Sequence, residues 1–214
     1  MAEVDMKKSQ GRTVDRGTYL LFTLVVMGLG WIIAAANTGI SYLALGMDVI
    51  PIITGLIGCL VFVITLRFLH YAWWLAFLSF LPAVFVLVGS VQYAPEAALD
   101  NRGVREIVRI AADSAADDGG SNHRFTLIGR SGELKETLDY DGDHPEWEVG
   151  DRIEVISDPE GVVPLEAASD VDPSSQLSSL VMGLLGWTGI TLLAGQRGFV
   201  RRRAGRRPAF EDID

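Results

Sequence analysis

The stretch Val49–Leu66, VIPIITGLIGCLVFVITL, decides the fold of this chain. It runs without a single charge and is long enough for a helix that crosses the apolar core of a bilayer, which takes roughly 17–25 residues. Three further uncharged stretches surround it: Gly17–Met47, Phe68–Pro95 and Pro173–Gln196. We place transmembrane helices near Thr18–Ala36, Val49–Leu66, His70–Val91 and Gln176–Gly195. Residues 92–175 are different material. The expected fold is therefore an integral membrane α-helical protein with four transmembrane helices, carrying a small all-β domain in the form of a sheet or a partly closed barrel.

Charge separates these materials. The chain carries 27 Asp and Glu against 18 Lys and Arg, a net charge of −9. Residues 92–175 hold 20 of the acids and 7 of the bases, a net −13, which leaves the remainder at +4. That positive remainder is concentrated in Lys7, Lys8, Arg12 and Arg16 before the first helix, and in Arg197, Arg201, Arg202, Arg203, Arg206 and Arg207 after the last.

Short basic flanks stay on the cytoplasmic side of a membrane. Residues 1–17 and 196–214 are thus expected in the cytoplasm of a multi-pass cell-membrane protein, with Arg67 and His70 on the same side. The loop Asn37–Asp48 has no Lys or Arg, so it and the acidic segment 92–175 are expected outside. Beside a membrane helix the arginine tail reads as a topological anchor near anionic lipid rather than a nucleic-acid patch. The expected partners are the lipid bilayer and a protein partner or a second copy meeting the glycine-bearing helices, with no nucleic acid.

The single cysteine, Cys59, excludes an intramolecular disulfide. Leu56-Ile57-Gly58-Cys59 has the look of a lipoprotein processing site, but the apolar run continues through Leu66, so Cys59 reads as a small helix residue. Ala34-Ala35-Ala36 after a basic start also fits a signal-peptidase site. Cleavage there would remove the first helix and leave the rest oriented as before. Lysine is confined to Lys7, Lys8 and Lys135, which together with the acidic segment points to a high-salt habitat.

Within the helices, Pro51 falls in a first turn where its missing N–H is harmless, and Pro82 is expected to kink the third helix. Gly28, Gly30, Gly55, Gly58, Gly183, Gly186 and Gly189 would let helix backbones approach closely, in a compact bundle or a homo-oligomer. No Asp, Glu, Lys or Arg lies deep in a predicted helix, and such residues mark ion pathways and buried catalytic sites. That argues against an ion-coupled transporter and an intramembrane protease.

The acidic segment opens with Tyr93–Gly103, which reads as a linker, and continues with five short strand signals. These are Val104–Ala111, His123–Ile128, Glu133–Leu138, Arg152–Ser157 and Val162–Ala167. Gly129-Arg130-Ser131-Gly132 is a hairpin signal, Ala112–Asn122 and Tyr140–Trp147 read as loops, and Asp158-Pro159-Glu160-Gly161 is a turn.

The segment Glu148-Val-Gly-Asp-Arg-Ile-Glu-Val-Ile-Ser-Asp-Pro159 resembles the V-G-D-x-V-x-V-x-Y-D-P segment of a widespread family of uncharacterised prokaryotic membrane proteins, classed as a domain of unknown function. The resemblance spans roughly half the chain and implies a small extracytoplasmic β-domain between hydrophobic helices. It also aligns Val104–Ile110 with the family's first strand, Phe125–Leu138 with its central hairpin and Gly183–Gly195 with its glycine-bearing helix. Ser157 stands where the family has Tyr, and two extra helices precede the third. The family implies no established activity.

Asp139-Tyr140-Asp141-Gly142-Asp143 superficially resembles a calcium loop, but an EF-hand needs glycine at the sixth position and glutamate at the twelfth, where this chain has His144 and Gly150. His123 and His144 lack the tight spacing of a zinc site. Ser131 reads as a turn serine, and Trp147 as either an exposed binding aromatic or a cap on the sheet core. The sequence therefore nominates no catalytic, cofactor-binding or metal residue, and no cofactor. The expected function is non-catalytic: an extracytoplasmic β-domain displayed for scaffolding or partner interaction. The alternative is an accessory or pore-forming component of a membrane transport system.

Overall fold

A computed structural model of the chain describes residues 16–70, 73–114, 123–140 and 144–203. The elements run α1 (Arg16–Leu43), α2 (Val49–His70), α3 (Trp73–Leu78) and α4 (Phe80–Arg102), then β1 (Val104–Asp113), β2 (His123–Gly129), β3 (Gly132–Glu133), β4 (Leu138–Tyr140), β5 (Arg152–Ser157) and β6 (Glu166–Ala167), and finally α5 (Pro173–Arg203). Among the described residues, four helical spans are long and apolar enough to cross a membrane, at Arg16–Leu43, Val49–Leu69, Trp74–Arg102 and Pro173–Arg201. The residues form two compact units. Among the described residues, one draws on 16–36, 55–87 and 180–203, the other on 37–54 and 88–179.

The first unit is a helix bundle. Its core is built from Val26, Ala34, Cys59, Phe62, Leu66, Leu75, Val86, Trp187, Ile190 and Ala194. Phe62 and Trp187 stack at 4.1 Å between ring centroids, and both are essentially buried. The Trp187 indole N–H donates to the Ser79 carbonyl at 3.3 Å. That carbonyl lies at the interruption between α3 and α4, three residues before Pro82. A proline cannot donate to the carbonyl four residues back and its ring crowds that carbonyl, so the expected kink takes the form of a break at Ser79. The Ser79 hydroxyl satisfies the Ala76 carbonyl at 2.6 Å. Gly183 and Gly186 sit against Pro82 and Val86, where a β-carbon would come within 2.7 Å of its neighbours. Gly28 and Gly189 face open space, so the glycines divide into bundle contacts and free positions.

In the second unit two helices outrun their sequence boundaries. α1 continues past Ala36 to Leu43, and Tyr93–Arg102 of the expected linker Tyr93–Gly103 is instead the last turns of α4. Polar side chains make this extension feasible. Asn37, 3% exposed, donates to the Ser90 hydroxyl at 2.8 Å and accepts from the Thr54 hydroxyl at 2.7 Å, joining α1, α2 and α4. Pro95 lies inside α4 and removes the hydrogen bond that the Val91 carbonyl would otherwise receive. The Ser41 hydroxyl replaces it, at 2.7 Å from the Val91 oxygen.

The sheet is antiparallel and open, in the order β3-β2-β1-β5-β6, with β4 also paired to β2. The partly closed barrel is therefore not formed. β2 and β3 close a two-residue turn at Arg130-Ser131, with Gly129 opposite Gly132 and Gly132 at φ 116°. The single strand expected over Glu133–Leu138 is divided. Ile128 faces Glu133 while Phe125 faces Leu138, so the returning chain carries extra residues that loop away from β2. Val108, Ile110, Phe125, Leu127, Leu138, Tyr140, Ile153 and Val155 form the core on one face, and a second small core gathers Leu99, Ile156 and Val163.

Because the Val91 carbonyl has one replacement donor, Ser41→Ala should destabilise the protein by about 1–2 kcal/mol. In a Pro95→Ala background, where a backbone N–H returns, the same change should cost less than about 0.5 kcal/mol. Thermal unfolding of the four proteins in one detergent measures this coupling.

Candidate functional site

Two features of the second unit concentrate charge and burial: a carboxylate clamp at Asp158 and an acid-walled cavity. The clamp starts from the Asp158-Pro159-Glu160-Gly161 turn. The Asp158 side chain is 1% exposed. Its oxygens accept from the backbone N–H of Glu160 at 3.1 Å, Val162 at 3.1 Å and Val163 at 3.0 Å. The Arg102 guanidinium, at the end of α4, adds a fourth bond at 2.8 Å and also holds Glu160 at 2.6 Å. Desolvation pushes the Asp158 carboxyl upward, but the three N–H donors and Arg102 outweigh it and hold the group below the usual carboxylate range.

The other end of the same motif is equally architectural. Gly150 takes φ 109°, its N–H donates to Ile110, and Asp151 accepts from the Glu148 N–H at 3.0 Å. The motif residues that prompted the family resemblance thus shape the entry and exit of β5.

The cavity has a volume of about 630 Å³ and lies wholly within the second unit. Its walls carry Asp48, Glu96, Asp139, Glu166 and Asp170, with no Lys or Arg among them. Leu138, Leu165, Tyr140 and Trp147 supply apolar surface. Three of the carboxylates have partners. Asp139 pairs with Arg124 at 2.9 Å, and Asp170 accepts from the Ser169 hydroxyl and meets His144 Nε2 at 2.8 Å. Glu96 accepts from the Asp172 N–H at 2.9 Å and from Gln176 at 2.8 Å. Asp172 in turn caps α5 by accepting from the N–H groups of Ser174 and Ser175, directly ahead of Pro173 at the first helical position.

The Glu166 carboxylate has no hydrogen-bond or ion-pair partner among the described residues. Burial pushes it up to about 7, helped by the negative charges of Glu96, Asp170 and Asp48. Such walls favour a cation or a proton and repel an anion. Among the described residues no three His, Cys, Asp or Glu side chains converge as a metal ion would require.

The sequence candidates scatter over the fold. Ser131 is an exposed turn residue opposite the hairpin strands. Cys59 is buried in the bundle core. Trp147 caps the sheet core, with its ring 5.7 Å from Tyr140 and stacked on His144 at 3.9 Å. The His144 imidazole bridges Asp170 and Glu146, and its bond to Asp170 raises its affinity for a proton. Asp141, Gly142 and Asp143 of the calcium-like segment, and the His123 side chain, lie outside the described residues. The clamp and the cavity escaped sequence reading because Arg102, Asp158, Glu96 and Glu166 stand far apart in the chain. The only trace was the Asp-Pro turn.

Compared with family models, curated proteins and solved structures, the chain matches none.

Removing the clamp should be costly: Asp158→Ala should lower stability by about 3–5 kcal/mol, as expected for a buried ion pair broken on one side. Because the folded group lies below its ordinary value of 3.8, its contribution is present above that pH and lost as pH falls through the lower folded value. Unfolding followed by Trp fluorescence should therefore be less acid-sensitive in Asp158→Asn than in the parent chain.

Glu166 has the opposite sign. Its contribution is complete below about 4.5, the unfolded value, and is lost as pH rises to about 7. Glu166→Gln should leave stability at pH 4 unchanged and raise it at pH 8 by about 1–2 kcal/mol, allowing for solvent screening.

Proposed function

We propose that this chain is a non-catalytic, multi-pass cell-membrane protein whose β-domain is displayed outside the cell to engage a protein partner. The observation that carries the reading is the construction of the sheet. It is a folded body with its own core on one face, and on its opposite face Arg105, Ile107 and Arg109 of β1, Ile128 of β2, and Arg152 and Glu154 of β5 are exposed, while Ile156 at the end of β5 is buried with Leu99 and Val163. The exposed part of such a face is free for recognition.

The charge pattern supports the placement, because the basic residues cluster beyond the outer ends of the first and last apolar stretches while residues 92–175 are strongly acidic. The filled centre of the bundle, with Phe62 and Trp187 stacked at its middle, supports a mount rather than a conduit within one copy. The V-G-D and D-P residues favour the resemblance to the uncharacterised membrane family, since Gly150 and Asp158 each do structural work that the motif would require.

Two measurements test this reading. A membrane-impermeant maleimide applied to intact cells should label Ser131→Cys and leave Ser9→Cys unlabelled, with native Cys59 too buried to react. The full chain extracted in mild detergent should co-purify with a stoichiometric protein. Labelling of Ser9→Cys from outside, or solute flux through the purified chain in liposomes without any partner, would overturn the proposal.

A further inference from the structure

The open face of the sheet has a composition at odds with the segment that carries it. In β1, Arg105, Ile107 and Arg109 alternate with the core residues Val108 and Ile110, so they point away from the core. The strand registers place Arg105 opposite the buried Ile156, which bounds the patch at that end, Ile107 opposite Glu154, and Arg109 opposite both Arg152 on β5 and Ile128 on β2. Residues opposed in an antiparallel pair share a face. These six side chains therefore form one continuous patch, and all of them are exposed, with Ile107 at 62% and Ile128 at 44%.

The patch has three arginines and one glutamate in a segment whose net charge is −13. Arg105 and Arg152 have no carboxylate partner among the described residues, and Arg109 reaches only the neutral Gly150 carbonyl at 3.3 Å. Among the described residues no acid is paired with these guanidinium groups, in a domain that holds 20 acidic residues.

From this arrangement we infer that the face formed by Arg105, Ile107, Arg109, Ile128, Arg152 and Glu154 is the docking surface for an acidic protein partner. This rests on the partner-binding reading above. An aliphatic centre framed by arginines matches the anatomy of protein interfaces, where arginine is enriched and the middle is apolar. A purely polyanionic glycan would meet the guanidinium groups but leave both isoleucines without an apolar counterpart. A second copy in two-fold symmetric, face-to-face contact would set the same positive patch against itself.

The test is site-specific photo-crosslinking in intact cells, with a photoreactive side chain replacing Ile107 or Ile128, and exposed Val162 as the control position. One acidic protein should be captured from both sites and not from Val162. Combined Arg105→Glu and Arg152→Glu should lower its yield about ten-fold, as expected when attraction between charged faces becomes repulsion. Changing the captured protein's acidic residues at the adduct to arginine should restore the yield. Each variant is checked by its melting temperature, and Arg105→Gln with Arg152→Gln replaces the pair if the charge reversal unfolds the domain.

An adduct unaffected by either charge change would overturn the inference, as would a lipid, a glycan or a second copy in the adduct. If the partner still co-purifies but neither isoleucine captures it, the surface is wrong and the partner-binding function stands. If nothing co-purifies, the function itself fails.

Discussion

The Asp158 carboxylate accepts from three backbone N–H groups and from Arg102, and it does so almost out of contact with water. Arg102 ends α4, Gly103 follows, and β1 begins at Val104, which pairs with Ser157 directly before Asp158. One carboxylate thus fixes the end of a helix, the exit of β5 and the loop toward β6 together. A buried charge is tolerable only when donors surround it, and once surrounded it is expensive to disturb. The junction between helix and sheet is therefore specified by geometry and charge as well as by apolar contact. The adjoining core of Leu99, Ile156 and Val163 is small.

The same demand for satisfied polar groups explains where the helices end. Ser41 serves the carbonyl that Pro95 strands, and Asn37 occupies both Ser90 and Thr54. Glu96 holds the cap of α5 by accepting from Asp172. Ser41, Asn37 and Asp172 carry loop character when read along the chain, and each becomes a helix-stabilising group through a hydrogen bond to another residue. The uncharged runs were legible because hydrophobic length is a local property. The hairpin at Arg130-Ser131 was legible because its two glycines announce the turn. α1 beyond Ala36 and α4 beyond Val91 were not, since their support comes from residues about fifty positions away. Glu96 also qualifies the charge-free helix interiors read from the sequence. It is a buried carboxylate within the α4 helix, and its partners lie at the start of α5.

Charge within the second unit is segregated. The cavity wall is acidic and lacks bases, while arginines collect on the open face of β1 and β5. Such segregation has a cost: burial is the main reason for the raised proton affinity of Glu166, and the neighbouring negative charges of Glu96, Asp170 and Asp48 add to it. Arginines among these acids would offset the repulsive part. The separation keeps one surface receptive to negative charge and leaves the cavity able to take up a proton near neutrality.

Residues 88–102 of α4 and the sheet form one structure locked at Asp158, with no flexible linker between Arg102 and β1. Hydrogen–deuterium exchange on the full chain in lipid nanodiscs addresses it most directly. The amides of 96–102 and those of Val162 and Val163 should be protected together with β1 and β5, and should lose protection together in Asp158→Ala. Rapid exchange across 96–102 in the parent chain, with the strands still protected, would contradict the account.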